Sequence, residues 1–92
     1  MRVRYTLAAF YDRERIFERL HRRSASGARN VMASIKAAVR QLSEQPYSGH
    51  KTNMSGVLVL VLADYPYIVF DRIRQEAVEV LHIRHTSRRP KK

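Results

Sequence analysis

The rhythm of hydrophobic and polar positions changes along the chain. Residues 2–6, RVRYT, alternate with the two-residue period of a short strand. From Leu7 to about Arg23 the spacing becomes helical. Phe10, Phe17 and Leu20, with Ile16 beside them, form one predicted apolar stripe. Thr6 stands where an N-cap is needed. Asp12 and Glu14 come early and Arg19, His21, Arg22 and Arg23 late, an order that suits the helix dipole. Asp12–Arg15 and Glu18–Arg22 have the spacing of weak surface ion pairs.

A short polar break at 24–27 follows, where Ser24 or Ser26 can cap a second helix reaching about Glu44. Its stripe is the clearest periodic signal: Ala28, Val31, Met32, Ile35, Ala38, Val39 and Leu42, with Arg29, Lys36 and Arg40 opposite. Pro46 stops the helix and Gly49 helps turn the chain. After a polar loop at 46–56 come three β-prone runs, 57–62, 67–73 and 77–84. The joints between them are short enough for hairpins, so an antiparallel meander is expected. The first strand can join that sheet. The expected fold is α+β: strand, helix, helix, three strands, with the helical hairpin on one face of a four-stranded sheet.

Size and charge narrow the reading. Ninety-two residues fit one domain, and 45% hydrophobic content is too high for a disordered chain. Without cysteine there is no disulfide or thiolate metal site, and a reducing cytoplasm is the expected compartment. His21 and His50 lie far in sequence from His82 and His85, so no metal or other cofactor is expected. No apolar run reaches the roughly 20 residues of a membrane helix, and no secretory h-region stands at the N-terminus. The formal charge of +10 calls for an anionic partner. Its densest stretch closes the chain, where an apolar strand runs into His82, Arg84, His85, Arg88, Arg89, Lys91 and Lys92.

Three stretches carry a family resemblance: QLSEQPYSGH after the second helix, YPYIVFDRI in the penultimate strand, and VEVLHIRHTSRRP at the end. In this order and at this length the chain resembles the RelE/ParE family of bacterial type II toxins. The resemblance implies a toxin neutralised by a small acidic antitoxin. ParE-like members poison DNA gyrase, whereas RelE-like members cut messenger RNA at the ribosome. RelE-like members resemble each other in a basic residue soon after the glycine preceding the second strand, and in a tyrosine near the C-terminus. Here Leu58 stands where an arginine is expected, and no tyrosine follows Tyr67. The ParE-like branch, with a ParD-like antitoxin and DNA gyrase as target, is therefore the expectation. Asp71, where the family usually has tyrosine, is a second departure. With Leu58 it leaves room for an attenuated protein that only binds antitoxin.

The resemblance implies two sets of site residues. Arg72, His82, Arg84, His85, Arg88 and Arg89 are the candidates for target binding. In the nuclease alternative Arg84, His85, Arg88 and Arg89 would hold the phosphate; otherwise no catalytic residue is assigned. Tyr11, Arg15, Arg19, Arg22, Arg29 and Arg40 on the hairpin are the candidates for antitoxin binding. Strand alternation puts His82 and Arg84 on one face and His85 on the other. Arg72 either shares the tail's groove or pairs with Glu76 or Glu79.

Overall fold

The computed structural model describes residues 1–88. The elements follow the expected order with one addition: β1 (Arg2–Tyr5), α1 (Leu7–His21), α2 (Ala25–Glu44), β2 (His50–Lys51), β3 (Leu58–Val61), β4 (Tyr67–Arg74) and β5 (Ala77–His85), then a 3-10 turn at Thr86–Arg88. The sheet therefore has five strands, not four, in the order β1-β5-β4-β3-β2. The added strand, β2, is two residues long, too short to show a period. Gly49 lets the chain enter it, because a Cβ there would lie 2.9 Å from the Val59 carbonyl oxygen. The meander β3-β4-β5 is antiparallel as expected, and β1 joins β5 in parallel.

Both helices start on side-chain caps. The Thr6 hydroxyl accepts from Ala9 N at 3.1 Å, and the Ser24 hydroxyl from Gly27 N at 3.0 Å. α2 buries Ala28, Val31, Ile35, Ala38 and Leu42 from the stripe read in its sequence, while Met32 and Val39 are half-buried at its margin. α1 corrects its expected stripe. The residues it buries are Ala9, Asp12 and Ile16, while Phe10 is exposed and Phe17 only half-buried. Small Ala9 lets the helix approach the sheet closely, and the aromatic side chains are displaced to its flank.

One apolar cluster joins both helices to Leu60, Leu62, Tyr67, Val69, Val78, Val80 and Ile83, with Val3, Tyr5 and Ile73 packed against it. These strand residues all project to one face. The spacing from Val80 to Ile83 breaks strict alternation because the β4–β5 register shifts: Phe70 pairs with His82 and Asp71 with Val80, leaving Leu81 as the extra residue of a bulge. The bulge changes the phase of β5, so Ile83 and His85 project toward the helices.

Candidate functional site

β1 ends at Tyr5, opposite Val80, and the chain leaves for α1. The last part of β5 thus loses its strand neighbour on that side. α1 crosses above this opening, and a cleft of about 450 Å³ forms between them. Tyr11, Asp12, Arg15 and Arg19 line it from the helix, with Tyr67, His82, Arg84 and His85 below.

Asp12 organises the cleft. Its side chain is only 10% exposed, yet its carboxylate is fully engaged. Oδ1 accepts from Arg15 Nη2 at 2.6 Å. Oδ2 accepts from the Ile83 backbone N at 3.0 Å and lies 3.0 Å from His82 Nδ1. The carboxylate thereby occupies a strand-edge N–H that β1 no longer reaches. Because a carboxylate only accepts, this contact favours the His82 tautomer with hydrogen on Nδ1. The Asp12–Arg15 pair read from spacing does form, but as part of a buried anchor instead of a surface pair.

The neighbouring groups are also tied. Arg19 Nη2 donates to the Tyr67 hydroxyl at 3.0 Å. The ring of Tyr67 meets His85 edge-on, with centroids 5.1 Å apart. His85 Nδ1 accepts from Ser87 N at 3.1 Å and lies 2.7 Å from the Ser87 hydroxyl. Arg84 is exposed at the rim, its Nη2 3.4 Å from His82 Nδ1. The result is a cationic concavity around one neutralised carboxylate, suited to an anionic or amphipathic partner.

The two sets of sequence candidates meet here. Tyr11, Arg15 and Arg19 come from one set, and His82, Arg84 and His85 from the other. Arg22 lies beyond the cleft at the end of α1, and Arg29 and Arg40 are exposed on α2. Arg72 takes the second of its two alternatives. It faces away from the helices and donates to Glu79 through Nε at 3.0 Å. The Arg88 side chain, Arg89, Lys91 and Lys92 lie outside the described residues. Sequence reading missed Asp12 and Tyr67 as cleft residues. The only signal for Asp12 was that its position falls between Ala9 and Ile16 on one helical face.

The departures at Leu58 and Asp71 are cross-strand partners. Asp71 is fully buried and neither carboxylate oxygen has a hydrogen-bond partner among the described residues. Burial pushes its carboxyl up to about 6.

Comparison with known proteins agrees with this architecture. The family described as the ParE toxin of the type II toxin–antitoxin system parDE matches residues 3–90. A protein named "Putative toxin Y4kP" from Sinorhizobium fredii (strain NBRC 101917 / NGR234) is 37% identical over 84 residues, covering 91% of this chain and 86% of that protein. A solved chain titled "Chromosomal ParDE TA system from P. aeruginosa" shares the fold, with a TM-score of 0.81 at 20% identity, over 92% of this chain and 95% of that one. Among the described residues no helix is long and apolar enough to cross a membrane. By the extent of the family match and the identity to Y4kP, the chain belongs to the ParE toxin family of type II toxin–antitoxin systems.

Proposed function

We propose that the chain inhibits growth by binding DNA gyrase and stalling it with its DNA cleaved, and that an acidic ParD-like antitoxin neutralises it. The action is by contact, with no covalent chemistry of its own. The observation that carries the reading is the convergence of Tyr11, Arg15 and Arg19 with His82, Arg84 and His85 on one cationic cleft. An acidic segment laid against α1 would cover the surface offered to the target. Arg22, Arg29 and Arg40 would guide such a segment's approach, and charged rims of this kind act mainly on association rate and register. Arg88 and Arg89, next in sequence after β5, belong to the same proposed target-binding set.

Two features support contact over RNA cleavage. Leu58 supplies no guanidinium where the nuclease branch resembles itself in a basic residue. No tyrosine follows Tyr67, whereas the nuclease branch resembles itself in a tyrosine near the C-terminus.

The test is a side-by-side assay of the purified chain on gyrase acting on supercoiled plasmid and on ribosomes translating a defined message. Linearised plasmid is the expected result, relieved by adding the cognate antitoxin. Cut message with intact plasmid would instead identify a ribosome-dependent endonuclease. Neither effect, with antitoxin still bound, would leave an antitoxin-binding protein without a target.

A further inference from the structure

The face of the sheet turned away from the helices carries a second cationic surface. Strand register assembles it. Arg2 pairs with Ala77 and Ala77 with Arg74; Arg4 pairs with Glu79 and Glu79 with Arg72. Cross-strand partners project to the same side, and the alternate residues Val3, Tyr5 and Ile73 pack toward the helices. Four arginines therefore stand at the corners of a rectangle, with Ala77 and Glu79 along its midline. Its sides are about 7 Å along the strands and about 10 Å across two strand spacings.

Glu79 holds two corners in place. Its Oε1 accepts from Arg72 Nε at 3.0 Å and its Oε2 from Arg4 Nε at 3.3 Å. Arg4 Nη2 also reaches the Arg74 carbonyl and Gln75 Oε1, each at 3.5 Å. The hydrogen bond from Arg72, partly offset by burial and reinforced by the charges of Arg72 and Arg4, keeps the Glu79 carboxyl below the usual range. Glu79 thus stays ionised. The two arginines it clamps remain 39% and 41% exposed, and Arg2 and Arg74 are exposed. A guanidinium has five N–H donors, so each corner keeps outward donors for a further acceptor. One carboxylate against four guanidiniums leaves the patch strongly positive.

We propose that this arginine rectangle binds the phosphodiester backbone of a nucleic acid. Its make-up favours that ligand over an acidic protein. Protein interfaces centre on apolar contact with charges at the rim. Here the centre is charged, Ala77 is buried beneath it, and Phe70 and Val59 lie to one side. Polar, positively charged surfaces are typical of nucleic-acid interfaces. Arginine forks preset on a rigid sheet suit phosphate oxygens in pairs. The proposal stands apart from the gyrase reading, because it concerns the opposite face of the molecule and requires no particular target enzyme.

The experiment measures binding of the full chain to a short labelled DNA duplex and to a labelled single-stranded RNA, by fluorescence anisotropy across a salt series. The variant Arg2→Gln/Arg74→Gln changes only exposed side chains and leaves the Glu79 clamp intact. The control, Arg23→Gln/Lys36→Gln, removes the same charge from exposed positions in the interhelical turn and on α2. The rectangle variant is expected to lose about tenfold in affinity and to lower the log–log salt slope by about 2, one contact per arginine, on at least one probe. The control should lose no more than about twofold, with its slope unchanged. Loss on the duplex alone assigns DNA, and loss on the RNA alone assigns RNA. Equal losses in both variants would reduce the effect to bulk charge and overturn the proposal. Weakened binding of a polyglutamate probe with nucleic-acid binding intact would also overturn it.

Discussion

Asp12 on α1 and Asp71 on β4 are both aspartates withdrawn from water, and they live under opposite conditions. Around Asp12 the chain has gathered a guanidinium, a backbone N–H and an imidazole. Around Asp71 it has gathered apolar side chains: Val80 faces it across β5 and Leu58 across β3. A buried carboxylate stabilises a fold when every lone pair has a use and weakens it when none does. Asp12 is therefore an anchor that shapes the cleft. Asp71 is a defect carried in the core, directly across from Leu58.

The sharpest way to break this contrast is to remove the satisfied acid. Asp12→Ala would leave the Ile83 N–H without its acceptor at the open strand edge and Arg15 without its partner. We expect a loss of about 2–3 kcal/mol in urea unfolding, chiefly the cost of leaving the buried Ile83 N–H unsatisfied. A loss under about 1 kcal/mol would mean that solvent takes over the role of Asp12 and that the anchor is nominal.

Asp71 should behave in the reverse sense. Its carboxyl is raised in the folded chain, so folding favours the protonated form. Below about pH 4 it is protonated whether folded or unfolded, and its contribution is fully present. As pH rises the unfolded chain releases this proton first, and stability falls until the folded form also ionises near pH 6. With the carboxyl moved from 3.8 to about 6, the full step is about 3 kcal/mol. Glu79, whose carboxyl is lowered, acts oppositely: its contribution is present above the usual carboxylate range and is lost as pH falls. Comparing wild type with Asp71→Val cancels Glu79 and isolates Asp71. The variant should gain about 2–3 kcal/mol at pH 7 and lack the step between pH 4 and 6. An unchanged pH profile would show that Asp71 is not the group responsible.

How these two acids looked in the sequence explains what was legible and what was not. Regular periods were legible. The Ala28-to-Leu42 stripe, the Pro46 stop and the three β-prone runs gave α2 and the meander, because each is a local pattern repeated over several residues. Non-local arrangements were hidden. The two residues of β2 have no period to read. The bulge at Leu81 shows only once β4 lies beside β5. Asp12 looked like half of a surface pair because its other partners, Ile83 and His82, lie about seventy residues away. The α1 stripe was misplaced for the same reason. Phe10 and Phe17 outweigh Ala9 in any count of hydrophobicity, yet close approach to β5 selects the small residue. Asp71 sits in a strand whose alternation already assigns it to the buried face, but a lone carboxylate there reads as an interruption until its lack of partners is seen.

A smaller effect would test whether the Asp71 defect can be repaired from the neighbouring strand. Leu58 is half-buried and directly opposite Asp71. In Leu58→Arg a guanidinium would face the orphan carboxylate at cross-strand distance, where opposite charges attract. Stability at pH 7 should rise by about 1–2 kcal/mol, less than in Asp71→Val because two charges are now kept out of water. The step between pH 4 and 6 should shrink as the partner favours the ionised form. A gain in stability with the step unchanged would place the benefit elsewhere than in this pair.

The finest distinction concerns which property of Asp12 matters, its charge or its position as an acceptor. Asp12→Asn keeps a side-chain oxygen that can accept from Ile83 N but gives up the ionic contact with Arg15, whose side chain is 69% exposed. An ion pair with so exposed an arginine contributes little, whereas the hydrogen bond to a buried backbone N–H is costly to lose. Asp12→Asn should therefore cost about 1 kcal/mol, well short of Asp12→Ala. Hydrogen exchange at the Ile83 amide gives the direct readout: protection should persist in the asparagine variant and collapse in the alanine variant. If both variants lose protection equally, the carboxylate's charge holds β5 to α1. The cleft would then owe its shape to electrostatics more than to a capped strand edge.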